Sequence, residues 1–295
     1  MNRKIALAAG LVTLGITSLS ANAAHIAGLS LFDGQAFTFD GSAYSAGSSF
    51  TATAIDFSYV SDTDQTSTGP ASATFDEDGV AFFSTFQNPL GTPVSAATTG
   101  LNNGYKAYLT FAATGTAVPG PGGAGVDGTF DSFVVNIYID ADENTTTVPA
   151  TAGGPGDETT TVGGITADDV LILSGTLSLG GFHVFGGLAN GDYDVLFNVN
   201  SYDPTVWGGA AFAGDLNGDG DFLDPGESAT KGDLNGVNTS IVGLGAPTFG
   251  DKTDIIINGS GNIALRTVPV PGVLGLLGAG LLGLGWVNGR SRKNA

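Results

Sequence analysis

The chain has 295 residues, a formal net charge of −19, 48 glycines, 18 phenylalanines and no cysteine. The missing cysteine excludes a disulfide framework, a thiolate metal site and a cysteine nucleophile. Between the two ends only Lys106, Lys231, Lys252 and Arg266 oppose all 28 acids, which argues against nucleic-acid binding, since phosphates need basic surface.

In chain order, the first segment reads as an export signal. Arg3 and Lys4 precede an apolar run, Ile5 to Ile16, and Ala21-Asn22-Ala23 supplies an A-x-A cleavage pattern. The run is too short to span a membrane, so cleavage between Ala23 and Ala24 and export through the Sec pathway are expected.

From residue 24 to 267 the period is that of strands. "SFTATAIDFSYV" alternates through Phe50, Ala52 and Ala54, then Phe57 and Tyr59. "GVAFFSTF", "YKAYLTFAATGTAV", "DSFVVNIYID" and "GDYDVLFNVNSYD" follow the same period, and "DDVLILSGTLSLGGFHVF" reads as one long strand or two consecutive ones. "DIIINGSGNIALRTV" reads as a closing hairpin turning at Gly259 or Gly261. Pro119–Gly128 and Thr145–Thr161 read as long surface loops. Roughly eight to ten strands with Gly-rich turns and no convincing helix predict an all-β domain, a β-sandwich or jelly roll with Gly-rich loops.

The sharpest local motif is "DLNGDGDFLDPGE". Asp215, Asn217, Asp219 and Gly220 match the start of a calcium loop, in which alternate residues turn oxygens inward and glycine permits the sharp turn. Asp221 can add a backbone oxygen. The bidentate acid is displaced: Gly226 stands at position 12, with Glu227 one residue late and Asp224 an alternative. No helix is expected on either side, so the loop is similar to helix-poor extracellular calcium loops, and calcium is the expected cofactor. The competing reading is a solvated Asn/Asp/Gly turn. "GDLNGVN" repeats only the first half, through Asp233 and Asn235, and reads as a turn. Asp140, Asp142 and Glu143 form a second calcium candidate, while Asp62/Asp64, Asp76/Glu77/Asp78, Asp168/Asp169 and Asp192/Asp194 read as a solvated rim.

Catalytic machinery is hard to find. His25 sits beside the expected cleavage site, and His183 in "GFHVFGG" reads as a packed strand histidine. There is no G-x-S-x-G elbow, no H-E-x-x-H and no Walker loop. Gly278 to Gly283 matches G-x-G-x-x-G but follows no strand and carries nothing. The chain therefore reads as a non-enzyme. Tyr202 and Trp207 are possible sugar-stacking residues, which keeps a carbohydrate-binding module-like protein as the alternative. A secreted hydrolase is weaker.

The last 28 residues differ from the rest. Val268-Pro269-Val270-Pro271 is followed by the uncharged "GVLGLLGAGLLGLGWV" and then by Arg290, Arg292 and Lys293. As a helix, the 16 residues Gly272 to Val287 extend ~24 Å, slightly short of a ~30 Å bilayer core. Gly275, Ala279 and Gly283 recur every four residues, a small-residue face suited to another membrane helix. The basic end stays cytoplasmic by the positive-inside rule.

This order resembles the PEP-CTERM sorting signal of Gram-negative bacteria, with Val270 where that family's name implies Glu. The resemblance implies recognition by an exosortase, transient anchoring in the inner membrane and cleavage near the motif. The Gly/Thr-rich body, with "NGYKAYLTFAATGT" (Asn103–Thr116), is similar to flocculation-associated PEP-CTERM proteins. That similarity implies an extracellular matrix or surface protein associated with exopolysaccharide in biofilm or floc, assisted by calcium. The expected organisation is a signal peptide over 1–23, a secreted β-rich domain over 24–267 and a sorting tail with one C-terminal transmembrane helix over 268–295.

Overall fold

The structure, a computed structural model, describes residues 34–44, 47–120, 125–147, 162–163, 169–185, 190–224, 226–243 and 253–268. In chain order its strands are β1 (Phe37–Phe39), β2 (Phe50–Ala52), β3 (Ala54–Gly69), β4 (Ser72–Gln87), β5 (Lys106–Pro119), β6 (Val126–Asp140), β7 (Thr146–Thr147), β8 (Val162–Gly163), β9 (Val170–Val184), β10 (Gly191–Tyr202), β11 (Trp207–Gly209), β12 (Thr230–Gly243) and β13 (Thr253–Thr267). A single-turn helix, α1 (Ala96–Thr99), lies between β4 and β5.

The eight long strands close into one antiparallel barrel, in the order β3-β4-β5-β6-β9-β10-β12-β13 and back to β3. Each pairs with the next along the chain, and β13 closes on β3 with Ile263 opposite Ile55 and Gly259 opposite Tyr59. The expected β-sandwich or jelly roll is thereby corrected. Closure of the last strand on the first makes a single continuous wall in place of two facing sheets. Alternation points Ile55, Phe57 and Tyr59 inward and Asp56 and Ser58 outward. This apolar-in, polar-out order is the reverse of an outer-membrane barrel's.

Glycine makes the lumen possible. An eight-stranded barrel has an interior just wide enough for side chains, and this one lines it with rings laid over glycines of the neighbouring strand. Phe111 faces Gly79 and Phe75 faces Gly115, Phe182 faces Gly128, Phe197 faces Gly232 and Tyr59 faces Gly259. A methyl group added at Gly232 would stand 2.0 Å from the Phe197 ring, and one at Gly79 2.1 Å from the Phe111 ring. The unusual glycine and phenylalanine content is therefore one packing device.

Two sequence expectations fail for this reason. The closing hairpin at Gly259 or Gly261 is a single uninterrupted strand, β13. Its glycines leave room for Tyr59, for Phe57 and for the Tyr193 hydroxyl and make no turn. Likewise "GDLNGVN" is no turn but part of β12, paired on both sides by β10 and β13. The Pro119–Gly128 loop is shorter than expected, because β5 runs to Pro119 and β6 starts at Val126. The C-terminal transmembrane helix is not supported either. Among the described residues no helix is long and apolar enough to cross a membrane, and 269–295 lie outside them.

The two ends of the barrel differ. At one end short connections join β3 to β4, β5 to β6, β9 to β10 and β12 to β13. At the other end, β1 and β2, which precede the barrel, pair with β11 of the long β10–β12 connection in a three-stranded sheet, β11-β1-β2. There Phe39 packs on Trp207 and Phe86, both at 4.9 Å between ring centroids, and Phe50 packs edge-on to Phe86 at 4.8 Å. Phe37, Phe39, Phe86 and Tyr105 are fully buried, so the small sheet caps and fills this end.

Candidate functional site

The motif loop Asp215–Glu227 follows β11 in the long connection on the capped side. Its oxygens turn inward onto its own backbone. Asp215 accepts from the N–H of Gly218 at 2.6 Å and of Gly220 at 3.0 Å, and from the Tyr202 hydroxyl at 2.7 Å. Burial opposes ionisation of Asp215, but these donors win and hold its carboxyl below the ordinary range. Asp219 accepts from the Asp221 N–H and Asp221 from the Leu223 N–H. Glu227, buried, spans the loop with both oxygens, accepting from Leu216 N–H and Asp224 N–H at 3.1 Å each. Glu227 thus ties the two ends of the loop together through hydrogen bonds. The Asn217 amide nitrogen sits between Asp219, at 3.1 Å, and Asp224, at 2.6 Å. Among the described residues no group of three or more His, Cys, Asp or Glu side chains is spaced to hold a metal ion.

The second candidate behaves similarly. Asp140 accepts from Thr145 N–H at 2.7 Å and Asn144 N–H at 3.3 Å. Glu143 turns away and accepts from Gly104 N–H at 2.6 Å. The group pins the connection after β6 to the start of β5, where the Lys106 ammonium donates to the Glu143 carbonyl at 2.6 Å.

Pairing of β10 with β12 brings together acids that are far apart in sequence. Asp194 stands opposite Asn235, and Leu196 opposite Asp233. Asp192, Asp194 and Asp233 are all buried, so Asp192 and Asp194 are not the solvated rim expected. Burial, and then the neighbouring Asp233, push the Asp194 carboxyl up to about 8.

Of the two stacking candidates, Trp207 is core and Tyr202 packs half-buried against the core. Trp207 is 2% exposed, and Tyr202 is covered by Phe212 at 4.5 Å and Phe222 at 5.5 Å. Trp207 offers no free face to a sugar ring. His183 faces outward on β9 and its Nδ1 pairs with Asp127 of β6. Ala23, Ala24, Pro269, Pro271, Arg290, Arg292 and Lys293 lie outside the described residues. Val268 follows the last strand directly, and its N–H donates to the Ala229 carbonyl at 2.8 Å.

The feature that sequence reasoning missed is inside the barrel. In the half away from the cap the rings pack against one another along the wall, and a cavity remains between them. The space between its lining side chains, including the mouth, is about 930 Å³, and about 90 Å³ of it is wide enough for the centre of a water molecule. Phe57, Tyr59, Phe75, Phe111, Phe130 and Tyr193 are among the rings around it. One carboxylate, Glu77, joins them and accepts from Ser61 Oγ at 2.6 Å. Glu77 keeps some accessible surface because it faces the cavity, yet burial pushes its carboxyl up to about 7. The Tyr59 hydroxyl donates to Asn238 Oδ1, whereas the Tyr193 hydroxyl and Thr63 Oγ1 are buried without a partner. The signal was present in "FDEDG", where alternation from the buried Phe75 sends Glu77, unlike Asp76 and Asp78, to the inner face.

These features define an eight-stranded up-and-down barrel, capped at one end and hollow at the other. Comparisons with protein-family models, with curated proteins and with solved structures give no match.

Proposed function

We propose that this chain is a non-catalytic exported protein of the cell surface or extracellular matrix. Its leader sends it across the inner membrane, its V-P-x-P tail is read by an exosortase, and the barrel is retained in the exopolysaccharide of biofilm or floc. The observation that carries this reading is the junction at residue 268. The closing strand ends at Thr267 and the Val268-Pro269-Val270-Pro271 motif starts at the next residue. Every strand of the barrel thus precedes the motif, so processing there leaves the wall complete. Asp219 and Asp224 offer exposed carboxylate oxygens through which calcium would bridge the barrel to an anionic polymer.

The test is removal of residues 268–295 followed by fractionation of the producing cells. Release into the medium, or accumulation in the periplasm, is expected of the truncated chain, with its melting temperature close to that of the full chain. Retention in the matrix at the full-length level would discard the sorting role.

A further inference from the structure

The cavity goes beyond the sorting reading and is independent of it. Three features of its lining restrict what it can hold. First, Lys, Arg and His are absent among the lining residues, and the one ionisable acid is Glu77. An anionic ligand would be repelled and would find no countercharge, whereas a cation would meet a carboxylate in a low-dielectric surrounding, where an ion pair is strong. Second, the walls present aromatic rings. Tyr59 lies edge-on to Tyr193 at 5.4 Å and to Phe111 at 6.2 Å, and ring faces attract an ammonium group within ~6 Å. Third, the Tyr193 hydroxyl and Thr63 Oγ1 are buried, at 9% and 7% residue exposure, with no hydrogen-bond partner. Buried polar groups are ordinarily satisfied, so unpaired ones that line a cavity point to a partner that comes from outside.

We infer that the hollow half of the barrel binds a small organic cation, an apolar or aromatic body carrying one protonated amine, with the ammonium at Glu77 and the body among Phe57, Phe75, Phe111 and Phe130. The ammonium donates to the Glu77 carboxylate, and its remaining N–H groups reach the unpaired hydroxyl oxygens. The space wide enough for a water centre, about 90 Å³, is smaller than the ~150 Å³ apolar cavity that holds benzene, so the ligand is small and part of its body extends into the mouth, which the wider space of about 930 Å³ includes. A cavity in the mouth of a small barrel, mostly apolar with few convergent polar groups, is also a common form of ligand site.

The test is calorimetric titration of the full chain at pH 8 with three probes of one shape: phenethylamine, 2-phenylethanol and phenylacetate. Phenethylamine is expected to bind at least ~10-fold tighter than the alcohol, the equivalent of one pKa unit of interaction, and phenylacetate most weakly. Glu77→Gln, nearly the same shape, should erase the preference for the amine and leave the affinity for 2-phenylethanol within about threefold. A readout on the unaltered chain guards against misfolding of the variant. In methyl NMR, phenethylamine should shift Thr63, Ile255 and Ile257, which line the cavity, and leave the Ala52 and Ala211 methyls of the capped end in place. Equal binding of the three probes, no binding of any, an amine preference that survives in folded Glu77→Gln, or shifts confined to other sites would each overturn the proposal.

Discussion

The two halves of the barrel are built from the same residue types and use them differently. In the capped half, Phe37, Phe39, Phe86, Tyr105 and Trp207 meet from several directions and leave no surface exposed beyond a few per cent. In the hollow half the rings line a wall, with Phe75 meeting Phe130 at 5.7 Å and Phe182 at 5.3 Å, and the middle stays open. The capped half receives a lid of three short strands, while the hollow half lies at the end where the hairpin connections join the strands. The same aromatic content thus becomes a core where it is covered and a cavity lining where it is not.

The difference is measurable. Trp207→Ala removes a fully packed ring and should cost about 3–5 kcal/mol in urea unfolding. Phe130→Ala widens a cavity that already exists, with one side of the ring lacking neighbours, and should cost less than half as much. Equal losses would mean that both ends are filled and that the contrast is false.

Glu77 gives a second contrast, because its carboxyl stands on the inner face among the rings that line the hollow half. Its carboxyl is pushed up by burial from 4.5 to about 7. The folded state therefore holds a proton that the unfolded chain has released. The contribution to stability is complete below pH ~4.5 and is lost as pH rises through about 7, amounting to ~3 kcal/mol if the full shift is realised. Glu77→Gln should remove this slope, so the difference in unfolding free energy between variant and parent grows across that window and is flat above it. Asp194, raised to about 8 from 3.8, keeps a slope of the same sign in both proteins. A difference that does not change with pH would show that Glu77 is well solvated.

The ring-over-glycine packing offers a smaller effect. Gly232→Ala places a methyl group 2.0 Å from the ring of Phe197, which is itself fully buried. It should cost about 1–3 kcal/mol. Gly218→Ala, on a loop with open space around it but φ of 76°, should cost about 1 kcal/mol from backbone strain alone. Urea melts of the two variants separate crowding from strain.

Much of the wall was legible in the sequence. Period-two alternation marks β5, β6 and β10, since Leu109 and Phe111, Val135 and Ile137, and Val195 and Phe197 all face inward. β12 escaped because its inward positions include Gly232 and Gly236, which carry no hydrophobic signal. They are glycines because Phe197 and Tyr193 of β10 occupy their space. The hairpin misread within β13 has the same origin at Gly259 and Gly261. Closure itself is a pairing of residues some 200 positions apart, such as Ala264 with Ala54, and no local pattern encodes it. The cavity depends on what several strands fail to fill, so only Glu77 hinted at it. The acidic loop was the reverse case, legible in composition while its contacts were not.

That loop carries the smallest expected effect. Its carboxylates are engaged with the loop's own N–H groups, so it holds its shape through hydrogen bonds already present. Calcium would have to turn the Asn217 amide so that its oxygen, in place of the nitrogen now donating to Asp219 and Asp224, faces the ion. With a dissociation constant in the ~10⁻⁴–10⁻³ M range of extracellular modules, 10 mM calcium would stabilise the fold by about 1.4 kcal/mol at the weaker limit. A rise of a few degrees in melting temperature with calcium, absent with magnesium at the same concentration and absent in Asp219→Ala, is the expected outcome. Magnesium is the sharper control, because it requires near-octahedral geometry and sheds water reluctantly, whereas a loop of flexible Asx turns adapts to the larger ion. Equal shifts with both ions would mark general screening of the acidic surface, and no shift at all would leave the loop a hydrogen-bonded turn on the capped half of the barrel.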